Sequence, residues 1–281
     1  MSQRSLLEEV QTSDASNSIP ATTVEILPPG DVLCTLRGLD RKVTTTILDP
    51  WYNKGVGGLR DDYEAWLREV VHAAAPVSDH VFVWGFPEIV HCVLRDLPRG
   101  WELVAWLTWY YKNCPSVIRG WRSAQNACLH LAKKGAQLYP QHFLNPAQIS
   151  LRDRGKLRYM PGPANVIEVP LNVGFVGRSE QTGHPSQKPL KAIEPLVLMT
   201  TVPGDSVLDP MCGSGTTGAV CQALGRNAFL SDESVDYLDM VEKRLARDAQ
   251  HVVTRHRSTV SEIRRPAASL AAKKPGRSRR G

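Results

Sequence analysis

Two short strings in this 281-residue chain put reactive side chains at the ends of apolar runs. Asp49-Pro50-Trp51-Tyr52-Asn53 follows the β-branched run 43–48, and Asp209-Pro210-Met211-Cys212-Gly213-Ser214-Gly215-Thr216-Thr217 follows the run 206–208, 160 positions later. In the first string, the Asp49 carboxylate and the Pro50 carbonyl are two acceptors that one turn can aim at the N–H bonds of a single group. That is catalysis by positioning and directed electrostatics. Tyr52 offers a face for a planar ligand, Trp51 can line the same pocket, and Asn53 can hold the turn. An Asp-Pro turn by itself is most often only the end of a strand. In the second string, glycines let the backbone approach a ligand and the following helix start supplies free N–H groups. No Gly-Lys-Ser/Thr follows, and a single GxG is not GxGxxG, so neither phosphate-loop signature is present. Asp209 repels phosphate and suits a cationic, amine-bearing ligand, with Pro210, Gly213, Ser214, Gly215 and Thr216 around it. Asp232 ends the next apolar run, where an acid accepts bonds from ribose hydroxyls or caps a helix. Both roles stay open.

The elements that must hold these strings alternate. Strands are expected at 24–27, 43–48, 79–85, 103–110, 127–132, 206–208 and 227–230, and helices at 61–75, 87–97, 188–201, 216–224 and 235–250. Residues 32–37 read as a short helix or an irregular segment. Strands alternating with helices imply an α/β fold with a mostly parallel sheet covered on both faces. Residues 127–132 read as an antiparallel partner of 103–110, giving one hairpin, with Lys133-Lys134-Gly135 as a turn. Residues 111–125 read as a long loop, and 137–183 show no sustained period of either kind. Ligands in such sheets sit beyond the carboxyl ends of strands, where both strings lie.

Composition sets the bounds. The chain is long enough for one α/β domain, and no apolar stretch approaches the ~20 residues that span a bilayer. Six cysteines (Cys34, Cys92, Cys114, Cys128, Cys212, Cys221) lack CxxC pairing, which points to a reducing compartment, to no disulfide framework and to no metal. Residues 1–23 read as a mobile leader, 24–250 as the folded domain and 251–281 as a basic tail. Nine Lys/Arg and one acid give that tail +8, leaving −2 for residues 1–250 out of the net +6. A basic arm of this kind is attracted to nucleic acid in a salt-dependent, sequence-blind way.

Taken together, the strings resemble the β class of amino DNA methyltransferases. Asp49 to Tyr52 is similar to the family's catalytic Asp-Pro-Pro-Tyr, and Asp209 to Thr217 to its S-adenosylmethionine (SAM) loop, in that order. Gly30-Asp31-Val32-Leu33, Lys112 within the stretch 109–135, and His184-Pro185-Ser186-Gln187-Lys188-Pro189-Leu190 resemble further family blocks. The resemblance covers residues 24–247. It implies a Rossmann-like SAM-dependent methyltransferase fold with permuted motif order, catalytic before cofactor. It also implies that Asp31, Lys188, Asp209, Pro210, Gly213, Ser214, Gly215, Thr216 and Asp232 hold SAM. Asp49, Pro50 and Tyr52 would then act on the exocyclic amine of a base flipped out of DNA, with Trp51 and Asn53 in the base pocket. Residues 136–183 would be the target-recognition insertion, with Lys112, Arg152, Arg154, Lys156 and Arg158 on the nucleic acid. An aspartate in first place leans to adenine N6; cytosine N4 is the alternative. Trp51 replaces the family's second proline and keeps open a third reading, a nucleic-acid-binding protein without turnover. Cytosine carbon-5 chemistry needs a Pro-Cys setting, and Cys114-Pro115 is the reverse. RNA as substrate, a homodimer and a restriction-system partner stay open. The expected place is the cytoplasm, on the nucleoid when DNA is bound.

Overall fold

The computed structural model describes residues 22–247, except 55–57, 115–116 and 119. The basic tail therefore lies outside the described residues, as does nearly all of the leader. Among the described residues ten strands run in chain order: β1 (Val24–Ile26), β2 (Thr45–Leu48), β3 (His80–Gly85), β4 (Trp101–Tyr110), β5 (Val117–Ile118), β6 (Trp121–Arg122), β7 (Gln125–Lys133), β8 (Val166–Glu168), β9 (Ser206–Asp209) and β10 (Asn227–Leu230). Eight of them form one sheet in the order β1-β10-β9-β2-β3-β7-β4-β8. β7 alone is reversed: it pairs antiparallel with both β3 and β4, and the other five pairings are parallel. The expected hairpin is therefore real, and its second strand slides between β3 and β4.

Alternation along β3 and β7 sorts side chains between two faces. Val81, Val83, Leu129 and Leu131 join one core, while Phe82, Trp84 and Cys128 join the other. β2 and β3 are buried throughout, as strands covered on both faces must be. Helices α1 (Val32–Gly38) and α2 (Tyr63–Ala74) supply apolar stripes to the first core. Its next cover is the short helix α3 (Pro87–Val90), which continues as a 3-10 turn over His91–Arg95. The single helix expected at 87–97 is thus broken after one turn. On the other face lie α5 (Leu190–Thr200), α6 (Thr216–Leu224) and α7, over 235–247.

Two segments read as loop or without a period hold secondary structure. The stretch after β4 carries the two-stranded ribbon β5–β6. The 136–183 segment holds α4 (Pro146–Asp153), with Asn145 and Gln148 in a reciprocal capping box. It then sends β8 back to the sheet edge beside β4. Trp109 Nε1 and Asn113 Nδ2 fix the return through the carbonyls of Val169 and Leu171, at 2.7 and 2.9 Å. It is therefore stitched to the sheet along one edge and is not a free-standing lobe.

Candidate active site

β9 and β2 are neighbours in the middle of the sheet although their motifs lie 160 residues apart. From β9 the chain continues through α6 to β10 on one side, and from β2 through α2 to β3 on the other. This is a topological switch point, where open α/β sheets bind ligands. Pairing between the two strands covers only Thr45–Val207 and Thr46–Leu208. Beyond that they splay, and a cleft of about 730 Å³ opens between Ile47-Asp49 and Asp209-Met211. Such a volume falls within the ~300–1,000 Å³ of small-molecule sites.

The cofactor half of the cleft is built on the glycine turn. Gly213 has φ +46 and Gly215 φ +71, left-handed values that side chains rarely adopt. A Cβ on Gly213 would come within 2.9 Å of His184 Nε2, so the glycine lets the His184 ring close the cleft. Gly215 does something else. A Cβ there would meet both methyls of Val241 at 2.9 Å, and the residue packs against α7 outside the cleft lining. Ser214 and Thr216 touch the cleft, yet their polar atoms serve the loop. Thr216 Oγ1 donates to the Lys188 carbonyl at 2.8 Å, and the buried Arg244 donates to Ser214 O at 3.0 Å and to Thr216 Oγ1 at 2.8 Å. Arg244 and Asn126 are the positioning residues that sequence reasoning missed. No local pattern marks an arginine on a long helix as the clamp of a distant loop.

Four carboxylates, Asp31, Asp209, Asp232 and its neighbour Glu233, line this space. Asp209 accepts from Thr217 Oγ1 at 2.5 Å and from Met211 N at 3.2 Å. Burial nonetheless pushes its carboxyl up to about 7, with Asp49 and Asp232 raising it further and the two hydrogen bonds opposing. Asp232 accepts from Gly213 N and from Ser234 N, so it pins the glycine turn and leads into α7 while still lining the cleft. Asp31 caps α1 through Leu33 N and Cys34 N at the cleft edge. His184 Nδ1 accepts from Ser186 N, and burial lowers the ring's pKa, so its proton sits on Nε2 toward Gly213. Gln187 ties its own loop through Thr182 and Glu180.

In the other half, Asp49 lies opposite. Lys188, expected on the cofactor, lines the cleft with its ammonium 2.7 and 2.5 Å from the two oxygens of Asp49. Tyr52 donates to Asp49 at 3.3 Å and accepts from Asn126 Nδ2 at 3.2 Å. Burial, then the Asp49 charge, raises its phenol well above the usual value, so it stays a donor. Phe86 stands edge-on to Tyr52 at 4.9 Å. Trp51 packs on Tyr63 and Trp66 of α2 at 5.3 and 4.8 Å, and the Tyr63 hydroxyl donates to the Trp51 carbonyl. Tertiary packing thus stiffens the turn where a second proline would have done so covalently. Asn53 has φ +51 and uses both ends of its amide on the Arg60 backbone, so of its two expected roles it takes that of holding the turn and not that of lining the pocket. Lys54 and Arg60 also line the cleft, paired with Glu88 and Asp62.

The expected nucleic-acid contacts are on the surface and partly engaged. Lys112 pairs with Glu168 and Arg152 with Asp153, while Arg154 donates to the Ser150 carbonyl. Lys156 and Arg158 lie beyond α4, neither in the cleft.

The two turns and the cleft they share define an amino-group methyltransferase site. A family model described as DNA methylase, of the N6/N4 type, matches residues 43–243, and the chain belongs to that family. DNA adenine methyltransferase YhdJ of Escherichia coli (strain K12) is 27% identical over 239 residues, covering 77% of this chain and 81% of that protein. The structure of an M1.HpyAVI–SAM complex superposes with a TM-score of 0.61 at 22% identity, over 79% of this chain and 99% of that one. The PvuII DNA methyltransferase (cytosine-N4-specific) gives 0.58 at 15% identity, over 83% and 94%. At these identities the two structural likenesses are likenesses of fold. Among the described residues no helix is long and apolar enough to cross a membrane.

Proposed function

We propose that this protein transfers a methyl group from SAM to the N6 amine of an adenine flipped out of DNA. The observation that carries the reading is the shared cleft: Asp49-Pro50 and the glycine turn stand on adjacent strands that splay at their carboxyl ends. The residues present fit SAM. Five carboxylates (Asp31, Asp49, Asp209, Asp232 and Glu233) line the cleft against the three cations Lys54, Arg60 and Lys188, which suits a ligand carrying an ammonium and a sulfonium, and the glycine turn leaves room for it. When bound, SAM supplies an electrophilic methyl group on sulfur.

The chain's own residues do the rest. The Asp49 carboxylate and the Pro50 carbonyl accept the two amine N–H bonds, drawing the nitrogen lone pair out of the aromatic system toward the incoming methyl. Tyr52, fixed by Asn126 and flanked by Phe86, walls the base. Lys54 and Arg60 of the cleft lining, with Lys156 and Arg158 beyond α4, supply phosphate contacts. The 136–183 segment, anchored along one sheet edge, carries target recognition. Asp49 and the likeness to an adenine enzyme favour adenine; the PvuII likeness makes cytosine N4 the second reading. The packing of Trp51 on α2 argues for a working turn over a silent one.

Mass spectrometry of nucleosides from mixed DNA incubated with SAM tests this. N6-methyladenine is expected, absent with Asp49→Ala. N4-methylcytosine alone would replace the reading by its alternative, and no methylation of either base would end it.

A further inference from the structure

Lys188 is only 5% exposed, and its ammonium has one anionic partner, Asp49. The remaining space around it is aromatic: the rings of Tyr52, Trp84 and Trp109 lie 5.2, 5.5 and 5.9 Å away. These faces stabilise a cation but are poor hydrogen-bond acceptors. Two of the three N–H bonds go to the two oxygens of Asp49. The third has no acceptor among the described residues, and an ammonium has no way to accept. A buried donor without a partner carries a free-energy cost unless a ligand relieves it. The inner wall of the cleft thus presents an acceptor, Asp49, directly beside an unspent donor, Lys188.

Adenine and cytosine carry the complementary pattern. On the pairing edge of each, the exocyclic amine stands next to an unprotonated ring nitrogen: a donor beside an acceptor. Guanine and thymine have a ring N–H on that edge, which would face the ammonium donor to donor. We propose that Lys188 is a base-reading residue, donating its third N–H to the ring nitrogen adjacent to the target amine while Asp49 accepts from the amine. This deepens, and rests on, the methyl-transfer reading above. It assigns Lys188 to the base and not to the cofactor, and gives one reason why one fold serves both amino bases.

The test is a cycle between the residue and the atom it reads. An oligonucleotide carrying 1-deazaadenine at the target keeps the amine but replaces the ring nitrogen by C–H. The unmodified protein is expected to prefer adenine over the analogue in kcat/KM by about 10- to 100-fold beyond the preference shown by Lys188→Met, because a hydrogen bond to a charged donor is lost only once. Any change in amine reactivity in the analogue is common to both proteins and cancels. Anisotropy of the same oligonucleotides with S-adenosylhomocysteine present gives the ratio without turnover, should Lys188→Met be inactive. SAM is expected to bind Lys188→Met at least as tightly as the unmodified protein, since the substitution removes a cation from the cleft. Equal discrimination by the two proteins, or a weakened SAM constant with the base ratio untouched, overturns the proposal. If the unmodified protein methylates cytosine, 3-deazacytosine takes the analogue's place. If it methylates neither base, the methyl-transfer reading has failed, which is a different result.

Discussion

Asp209→Asn should separate the stability of the fold from its ligand binding. The Asp209 carboxyl is held up to about 7, against 3.8 for the free side chain, chiefly by burial. A folded-state value above the unfolded one means that the full stability is present below pH 3.8 and is lost as pH rises through about 7. A gap of roughly three units corresponds to about 4 kcal/mol. At pH 5 only the first part of that loss has occurred, about 2 kcal/mol by the same linkage. An asparagine has nearly the same shape and never ionises. Its carbonyl can keep the Met211 N–H, and its NH2 can donate to Thr217 Oγ1 once that hydroxyl turns. Urea denaturation without ligand should therefore show the variant more stable, by about 2 kcal/mol at pH 5 and about 4 at pH 8.5. Calorimetric titration should show its SAM affinity reduced about a hundredfold, the scale of a lost charge-assisted contact. A variant that unfolds at lower urea than the unmodified protein at pH 8.5, or keeps its pH slope between 4 and 8, would refute the reasoning.

Asp49→Ala should lower turnover at least about a thousandfold and destabilise by about 3 kcal/mol, because the buried Lys188 ammonium loses its counter-charge. Adding Lys188→Met should recover most of that stability in denaturation and none of the turnover. Gly215→Ala should cost about 1–3 kcal/mol from its left-handed backbone and the Val241 contact; a thermal melt unchanged within error would show that α7 yields. His80 and His130 are buried and hydrogen-bonded at 3.1 Å, and burial first, then His80, lowers His130 to about 3. A depressed value places the loss on the acid side: stability is intact above about 6.5 and falls as pH drops toward 3. The His130 ring should stay neutral by NMR at pH 5, and a midpoint near 6.5 would contradict its burial.

Strands and helices with strong local patterns were legible in the sequence. The helix at 216–224 and the strand at 227–230 stand where expected, and an apolar period or a flanking glycine is a local signal. Within 137–183 the capping box of α4 (Asn145, Gln148, with Pro146) was a local signal that was passed over, whereas β8 exists only through its pairing with β4 and the side-chain bonds of Trp109 and Asn113. The 87–97 helix was over-extended because one apolar stripe fits both an α-helix and a 3-10 turn.

The two turns, their chemistry and their place at strand ends were determined by sequence, since residue type and backbone freedom act within a few positions. That β9 lies beside β2, that β7 enters between β3 and β4, and that Lys188 turns to Asp49 were decided by tertiary structure. So were the departure of Gly215 from the cleft and the reach of Arg244 to the glycine turn. For the two buried cations the physical reason is shared: each takes the partner that the packed core brings within hydrogen-bond distance, 28 positions away along the chain for Arg244 and 139 for Lys188.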